Sequence, residues 1–215
     1  MKPVPWAAPG RDRSVLSSIL LSPWNLEVED WNEGEKKTIT EDHGNGVIIQ
    51  EIYYETRKTI IPVGETELKP WKDISALGPE VSGIGYYTSA FSLPPDWTNN
   101  ATIAELYIGS TCGNSAAVYI NGVKAPPYDF NRKTLDITAL LKAGENIVKI
   151  EVPSTLNNRL LTRNYHAAID RMLQARAVHV LPPPRYGRPG VQDYGLIGPV
   201  MVKFYRTIHP CNNPE

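Results

Sequence analysis

Cysteine is nearly absent: Cys112 and Cys211 are too few and too far apart for a zinc site, which needs about four ligands at short spacings. They either close one disulfide that ties the C-terminal tail to a strand end or remain two buried thiols. An excess of charge of one sign is also missing. Lys and Arg number 22 against 23 for Asp and Glu and are scattered, which argues against nucleic acid as a partner. No apolar run approaches the roughly 18 residues that cross a bilayer, the longest candidate being Val15 to Leu21, so no membrane partner is expected. Met1-Lys2 leads into PVPWAAPG rather than an apolar core. No signal peptide is therefore expected, and the chain is read as trimmed or as a piece of a longer protein. Glycine-rich phosphate loops and a serine nucleophile elbow are absent too. No cofactor is expected. A structural calcium stays open, because carboxylate and carbonyl ligands outside the helix-loop-helix type leave no compact motif.

What the chain does have is alternation. From Gly83 to Val152 apolar and polar residues alternate between turn signals, the pattern of antiparallel strands with one buried face. Tyr87, Ser89 and Phe91 share one parity, and Leu106 and Ile108 continue a second strand. Ala117 to Ile120 runs into Asn121-Gly122, whose residues tolerate positive φ and suit a tight type I′ hairpin. Upstream, Trp24, Leu26 and Val28 alternate with Asn25, Glu27 and Glu29 in a strand with one wet face. Residues 32–45 are polar, a loop or frayed hairpin, and Val47 to Ile61 is one long strand or a bent pair. Trp71 packs under a short turn or helix, and Asp136 to Thr138 makes another turn. Asn157, Asn158 and Arg159 form a polar loop, Tyr165 to Val178 is the one helical period, and Pro182 to Pro184 opens a long loop. Val200, Val202 and Phe204 alternate with Met201, Lys203 and Tyr205 in a closing strand. The pattern predicts an all-β sandwich of about eight strands. It occupies residues 17–209, after an N-terminal arm or linker over 1–16 and before a tail over 210–215.

The order Trp71-Lys-Asp-Ile74, Gly83-Ile-Gly85-Tyr-Tyr87, Phe91-Ser-Leu-Pro94, Trp97 and Leu106-Tyr-Ile-Gly109 resembles the sugar-binding β-sandwich of family 2 glycoside hydrolases. The similarity continues through Val118-Tyr-Ile-Asn121-Gly122, Asp136-Ile-Thr138 and Gly144-Glu-Asn146. The chain is closer still to the C-terminal sandwich of family 106 rhamnosidase-like proteins, through residues 155–159 and 194–200. The resemblance, over roughly residues 68–206, implies a galactose-binding-like jelly roll of two antiparallel sheets, from which the short helical insertion of Tyr165 to Val178 and the proline-rich loop after it depart. It also implies an accessory module whose catalytic carboxylates lie on a separate barrel domain, with a plant or microbial polysaccharide or oligosaccharide as ligand. The Asn100-Ala-Thr102 sequon agrees with a secreted or extracellular protein.

Sugar recognition needs flat apolar faces beside polar groups in the ring plane. Tyr128 is the first choice for a stacking platform, with Asp129 and Arg132 supplying hydrogen bonds; its bland alternative is a plug under the loop. Trp97 and Tyr186 sit in similar loops. Asn158 and Arg159, with Asn157, make a second polar cluster or simply cap loop backbone. No catalytic residue is assigned. Glu51, Glu55, Asp129 and Asp136 have no evident pairing for glycoside hydrolysis, and Asp136 reads as a turn residue. The run Arg163-Asn164-Tyr165-His166 holds the residue types of a jelly-roll polysaccharide lyase, but neighbours in sequence rarely converge on one atom. His43, His179 and His209 lack a partner at metal-ligand spacing. The rival readings are a purely structural domain supporting a catalytic neighbour and a small lyase or hydrolase.

Overall fold

In a computed structural model, residues 15–98, 102–165, 167, 171 and 190–206 are described. Among them are ten strands: β1 (Val15–Leu20), β2 (Trp24–Asp42), β3 (Ile48–Thr66), β4 (Gly83–Leu93), β5 (Thr102–Ser110), β6 (Ala117–Ile120), β7 (Val123–Lys124), β8 (Thr134–Asp136), β9 (Gly144–Pro153) and β10 (Ile197–Arg206). They form two antiparallel sheets, four strands in the order β1-β10-β5-β8 and six in the order β3-β2-β4-β9-β6-β7, an all-β sandwich.

Period two decides which side chains enter the core, because successive strand residues point to opposite faces. Trp24, Leu26 and Val28 of β2, Tyr87 and Phe91 of β4, and Val148, Ile150 and Val152 of β9 are buried from one sheet. Ala104, Leu106 and Ile108 of β5 and Val200, Val202 and Phe204 of β10 are buried from the other. Asn121 and Gly122 take φ of 54° and 81° between β6 and β7, as the hairpin signal requires. Asn146 then braces this turn: its side chain bonds the backbone of Lys142 and Gly144 and accepts from Asn121 Nδ2 at 2.9 Å.

Three expectations change. The polar stretch read as a loop or frayed hairpin is strand throughout 32–42, because its pairing partner β3 is rich in β-branched and aromatic residues. Gly44, Asn45 and Gly46, all at positive φ, close the turn between β2 and β3. The cluster read as a polar loop is instead a helix, α1 (Asn157–Thr162). Strand pairing also begins two residues inside the expected arm, with Val15 and Leu16 in β1. The helix expected over Tyr165 to Val178 lies largely outside the described residues.

Trp71, 1% exposed, heads a short 3-10 turn and donates from Nε1 to Tyr87 Oη at 2.7 Å. Leu196 N–H donates to the same oxygen at 3.0 Å, joining the β4 core to the start of β10. Gly195 lies against them at φ 103°, and a Cβ there would sit 2.6 Å from Trp71 and from Tyr87 Oη. Burial pushes the Tyr87 phenol up to about 12 against the two bonds it accepts. A phenol raised on folding stabilises fully below its unfolded value near pH 10, and that contribution is lost as pH rises through about 12. Urea titrations at pH 8 and pH 12 should therefore differ by about 2–3 kcal/mol from this group. Tyr87→Phe should flatten that dependence while costing about 3 kcal/mol at pH 8, since two buried N–H donors lose their acceptor.

Candidate functional site

The outer face of the six-stranded sheet carries the positions that alternation excludes from the core. Register puts Glu27 opposite Tyr86, Tyr86 opposite Glu151, Thr88 opposite Lys149, and Lys149 opposite Tyr119. Lys149 Nζ sits 4.8 Å above the Tyr86 ring and 5.7 Å from the Tyr119 ring, and is held by Glu151 Oε1 at 2.8 Å. One strand over, Glu29 accepts from Trp31 Nε1 at 2.5 Å and pairs with Lys58 at 3.1 Å, while Lys58 lies 4.5 Å above the Trp31 ring. The result is a belt of rings and charges crossing β3, β2, β4, β9 and β6.

Its ionisation follows from these contacts. The Trp31 hydrogen bond, with Lys58 adding to it, holds Glu29 below the usual carboxylate range. The bond to Glu151 raises Lys149. Burial, followed by the negative charges of Glu29 and Glu151, raises the Tyr86 phenol. The belt thus sets the Lys149 cation, the Glu29 carboxylate and the Tyr86 phenol side by side among half-buried rings.

Depressions follow the belt. One of about 340 Å³ is lined by Asn25, Glu27, Ile60, Tyr86, Thr88, Lys149 and Glu151. Asn25 and Thr88 also line a neighbour of about 380 Å³, which shares Pro23, Trp24 and Glu65 with a third of about 700 Å³ at the sheet ends. Glu67 and Lys69 add charges there. Through these shared residues the three depressions run as one open trough from the end of the sandwich onto the sheet face.

The residues expected from sequence sit elsewhere. Tyr128 is half-buried against the core, and burial raises its phenol. Asp129 Oδ1 accepts from Asn131 N at 2.9 Å and its carbonyl from Arg132 N at 3.1 Å, so the segment folds on itself as a turn. Trp97 also packs partly buried on the core. Tyr186 and Cys211 lie outside the described residues. Asn158 is 1% exposed and bonds both backbone groups of Gln192 at 2.8 Å, holding the segment before β10. Arg159 is buried: Nη2 meets Asp30 Oδ1 at 2.5 Å, Nη1 donates to Asn32 Oδ1 at 2.8 Å and to the Trp31 carbonyl, and Nε donates to Glu80 O at 3.2 Å. Its fork faces inward, while Arg159 also lines a depression of about 240 Å³ with Trp31, Tyr54, Leu156 and Tyr165.

Asp136 Oδ1 accepts from Thr138 N at 3.0 Å and its hydroxyl at 2.7 Å, a turn residue as expected. Arg163 points to Asn32, while His166 lies outside the described residues. His43, expected without a partner, stands 3.2 Å from Glu41 in an exposed pair. Among the described residues no three His, Cys, Asp or Glu side chains come together as metal ligands. No helix among them is long and apolar enough to cross a membrane. Sequence reasoning passed over Tyr86, Tyr119, Trp31 and Lys149. Their signal was present as three aromatic residues and a lysine at wet strand positions, but only register brings them side by side.

No family model matches the chain, and no curated protein does. Among solved structures it is similar in fold to a rhamnosidase from Novosphingobium sp. PP1Y, with TM-score 0.50 and 19% identity, over 94% of this chain and 16% of that one. A β-glucuronidase from Faecalibacterium prausnitzii matches at TM-score 0.43 and 12% identity, over 95% of this chain and 33% of that one. A GH2 β-galacturonidase from Eisenbergiella tayi bound to glycerol matches at 0.40 and 17%, over 92% and 26%. The chain thus spans from about a sixth to a third of the length of these glycosidases.

Breaking a buried ion pair on one side strands the other charge. Arg159→Met should therefore cost about 3–5 kcal/mol in urea unfolding. Arg163→Met, at the exposed rim of the same cluster, should cost under about 1 kcal/mol.

Proposed function

We propose that this chain is a non-catalytic carbohydrate-binding module of galactose-binding-like type, an accessory part of a secreted, rhamnosidase-like glycoside hydrolase. The single observation that carries the reading is the trough on the six-stranded sheet, lined by Tyr86 and a pinned Lys149, with the Tyr119 ring on the far side of that lysine. Ring faces stack on the C–H side of a sugar, while Lys149, Glu151, Glu27 and Asn25 hydrogen-bond its hydroxyls. The open shape suits a chain of a plant or microbial polysaccharide running across the sheet. A fold similar to one sixth of a rhamnosidase supports an accessory role beside a catalytic barrel. Bond cleavage would then belong to that neighbour. Calcium, if the module uses it, serves structure rather than chemistry.

The loop containing Tyr128, Asp129 and Arg132, with Trp97, is the rival seat for the same ligand. Retardation in affinity gels of rhamnose-containing and uronate-containing polysaccharides separates the two. Tyr86→Ala and Lys149→Met should each weaken binding roughly tenfold, about 1.4 kcal/mol, with unchanged unfolding midpoints, while Tyr128→Ala leaves affinity intact. The reverse outcome moves the site to the loop. No retardation on any glycan leaves the purely structural module, and unsaturated uronate in the flow-through would reveal a lyase.

A further inference from the structure

The four edges of the two sheets are unequal. β7, β8 and β1 have two, three and six residues, whereas β3 has nineteen. Folded proteins keep open edges short, because a row of free N–H and C=O groups is a template for another strand. Along β3 every residue from Ile48 to Ile60 is exposed, including Ile48, Ile52, Tyr54 and Ile60 at 62%, 54%, 51% and 55%. Beyond the irregularity between Glu33 and Lys36, β2 and β3 continue as a ribbon exposed along β3 and, but for the half-buried Lys37, along β2. A two-stranded ribbon of this kind has marginal stability in water by itself.

We infer that β3 pairs antiparallel with β3 of a second copy of this chain about a two-fold axis at Tyr54, joining two six-stranded sheets. An axis perpendicular to the sheet preserves each face and places residues equidistant from it opposite one another. Centred on Tyr54, the pairing sets Glu51 against Arg57 and Ile48 against Ile60, each twice by symmetry. Neither Glu51 nor Arg57 has an ion-pair partner among the described residues of its own chain. The adjacent registers fail: an axis at Tyr53 puts Glu51 opposite Glu55, and one at Glu55 puts Glu55 opposite itself and Ile52 opposite Lys58. Opposite charges across a strand pair stabilise it and like charges oppose it, so charge selects the register. Each ribbon then lies along the edge of the other sandwich and gains the third strand it lacks.

Sedimentation velocity on the full chain across a micromolar concentration series tests this. A reversible dimer is expected. Glu51→Arg or Arg57→Glu alone should weaken it roughly tenfold, since each converts two attractive pairs into repulsive ones, and the two together should restore it. Both positions are exposed, and far-UV circular dichroism should stay unchanged. Tyr54→Cys, on the axis, should form a disulfide-linked dimer under oxidation, while Gln50→Cys, far from its own symmetry mate, should not. A monomer throughout, a dimer indifferent to the single reversals, no recovery in the double variant, or absence of the Tyr54→Cys link each overturns the inference.

Discussion

One phenolic oxygen holds the sandwich in its particular arrangement. Tyr87 enters from β4, and its hydroxyl accepts from the Trp71 indole and from Leu196 N–H, so three segments distant in sequence meet at one buried atom. Trp24 and Tyr194 pack edge-on against Tyr87 and Trp71 respectively, and no side chain larger than hydrogen fits at Gly195. Apolar burial alone would press the two sheets together without choosing how they align. A buried donor without an acceptor costs more than a satisfied one returns, and that asymmetry makes the alignment specific.

The same economy of polar groups explains why the described interior offers little chemistry. Asp30 is neutralised by Arg159, and Asn158 and Asn146 are spent on backbone groups of neighbouring segments. No buried side-chain nitrogen or oxygen among the described residues lacks a partner. Polar side chains so committed cannot also reorganise around a ligand without breaking the bonds that order the loops. Side chains whose bonds are exposed and exchangeable lie instead on the open face of the six-stranded sheet, which is where the proposed glycan site is set.

Much of this was legible in the chain because strand alternation is local. Trp24, Leu26 and Val28 separate from Asn25, Glu27 and Glu29 in both the sequence and the sheet, and Asn121-Gly122 makes its turn. The strand over residues 32–42 was not legible, since its polar side chains follow their partner strand rather than their own propensity. Helix α1 was hidden for a related reason: Asn157, Asn158 and Arg159 are chosen for long-range bonds to Gly190, Gln192 and Asp30. The belt needed register. Tyr86, Tyr119 and Lys149 come from three strands, and nothing in any one strand announces the others.

The belt on that face contributes little to folding. Lys149 and Glu151 keep 43% and 24% of their side chains in water, where an ion pair is worth under about 1 kcal/mol. Partly exposed cation and ring contacts add amounts of the same size, about 0.5–1 kcal/mol each. A cross-strand ladder selected for stability would bury β-branched pairs, as the inner face does with Val148, Ile150 and Val152. Here a cation is instead held beside two rings at the edge of an open depression, and burial raises the Tyr86 phenol. Because the energies are small, substitutions in the belt leave the sandwich able to form, so the proposed recognition can be altered in this sheet separately from folding.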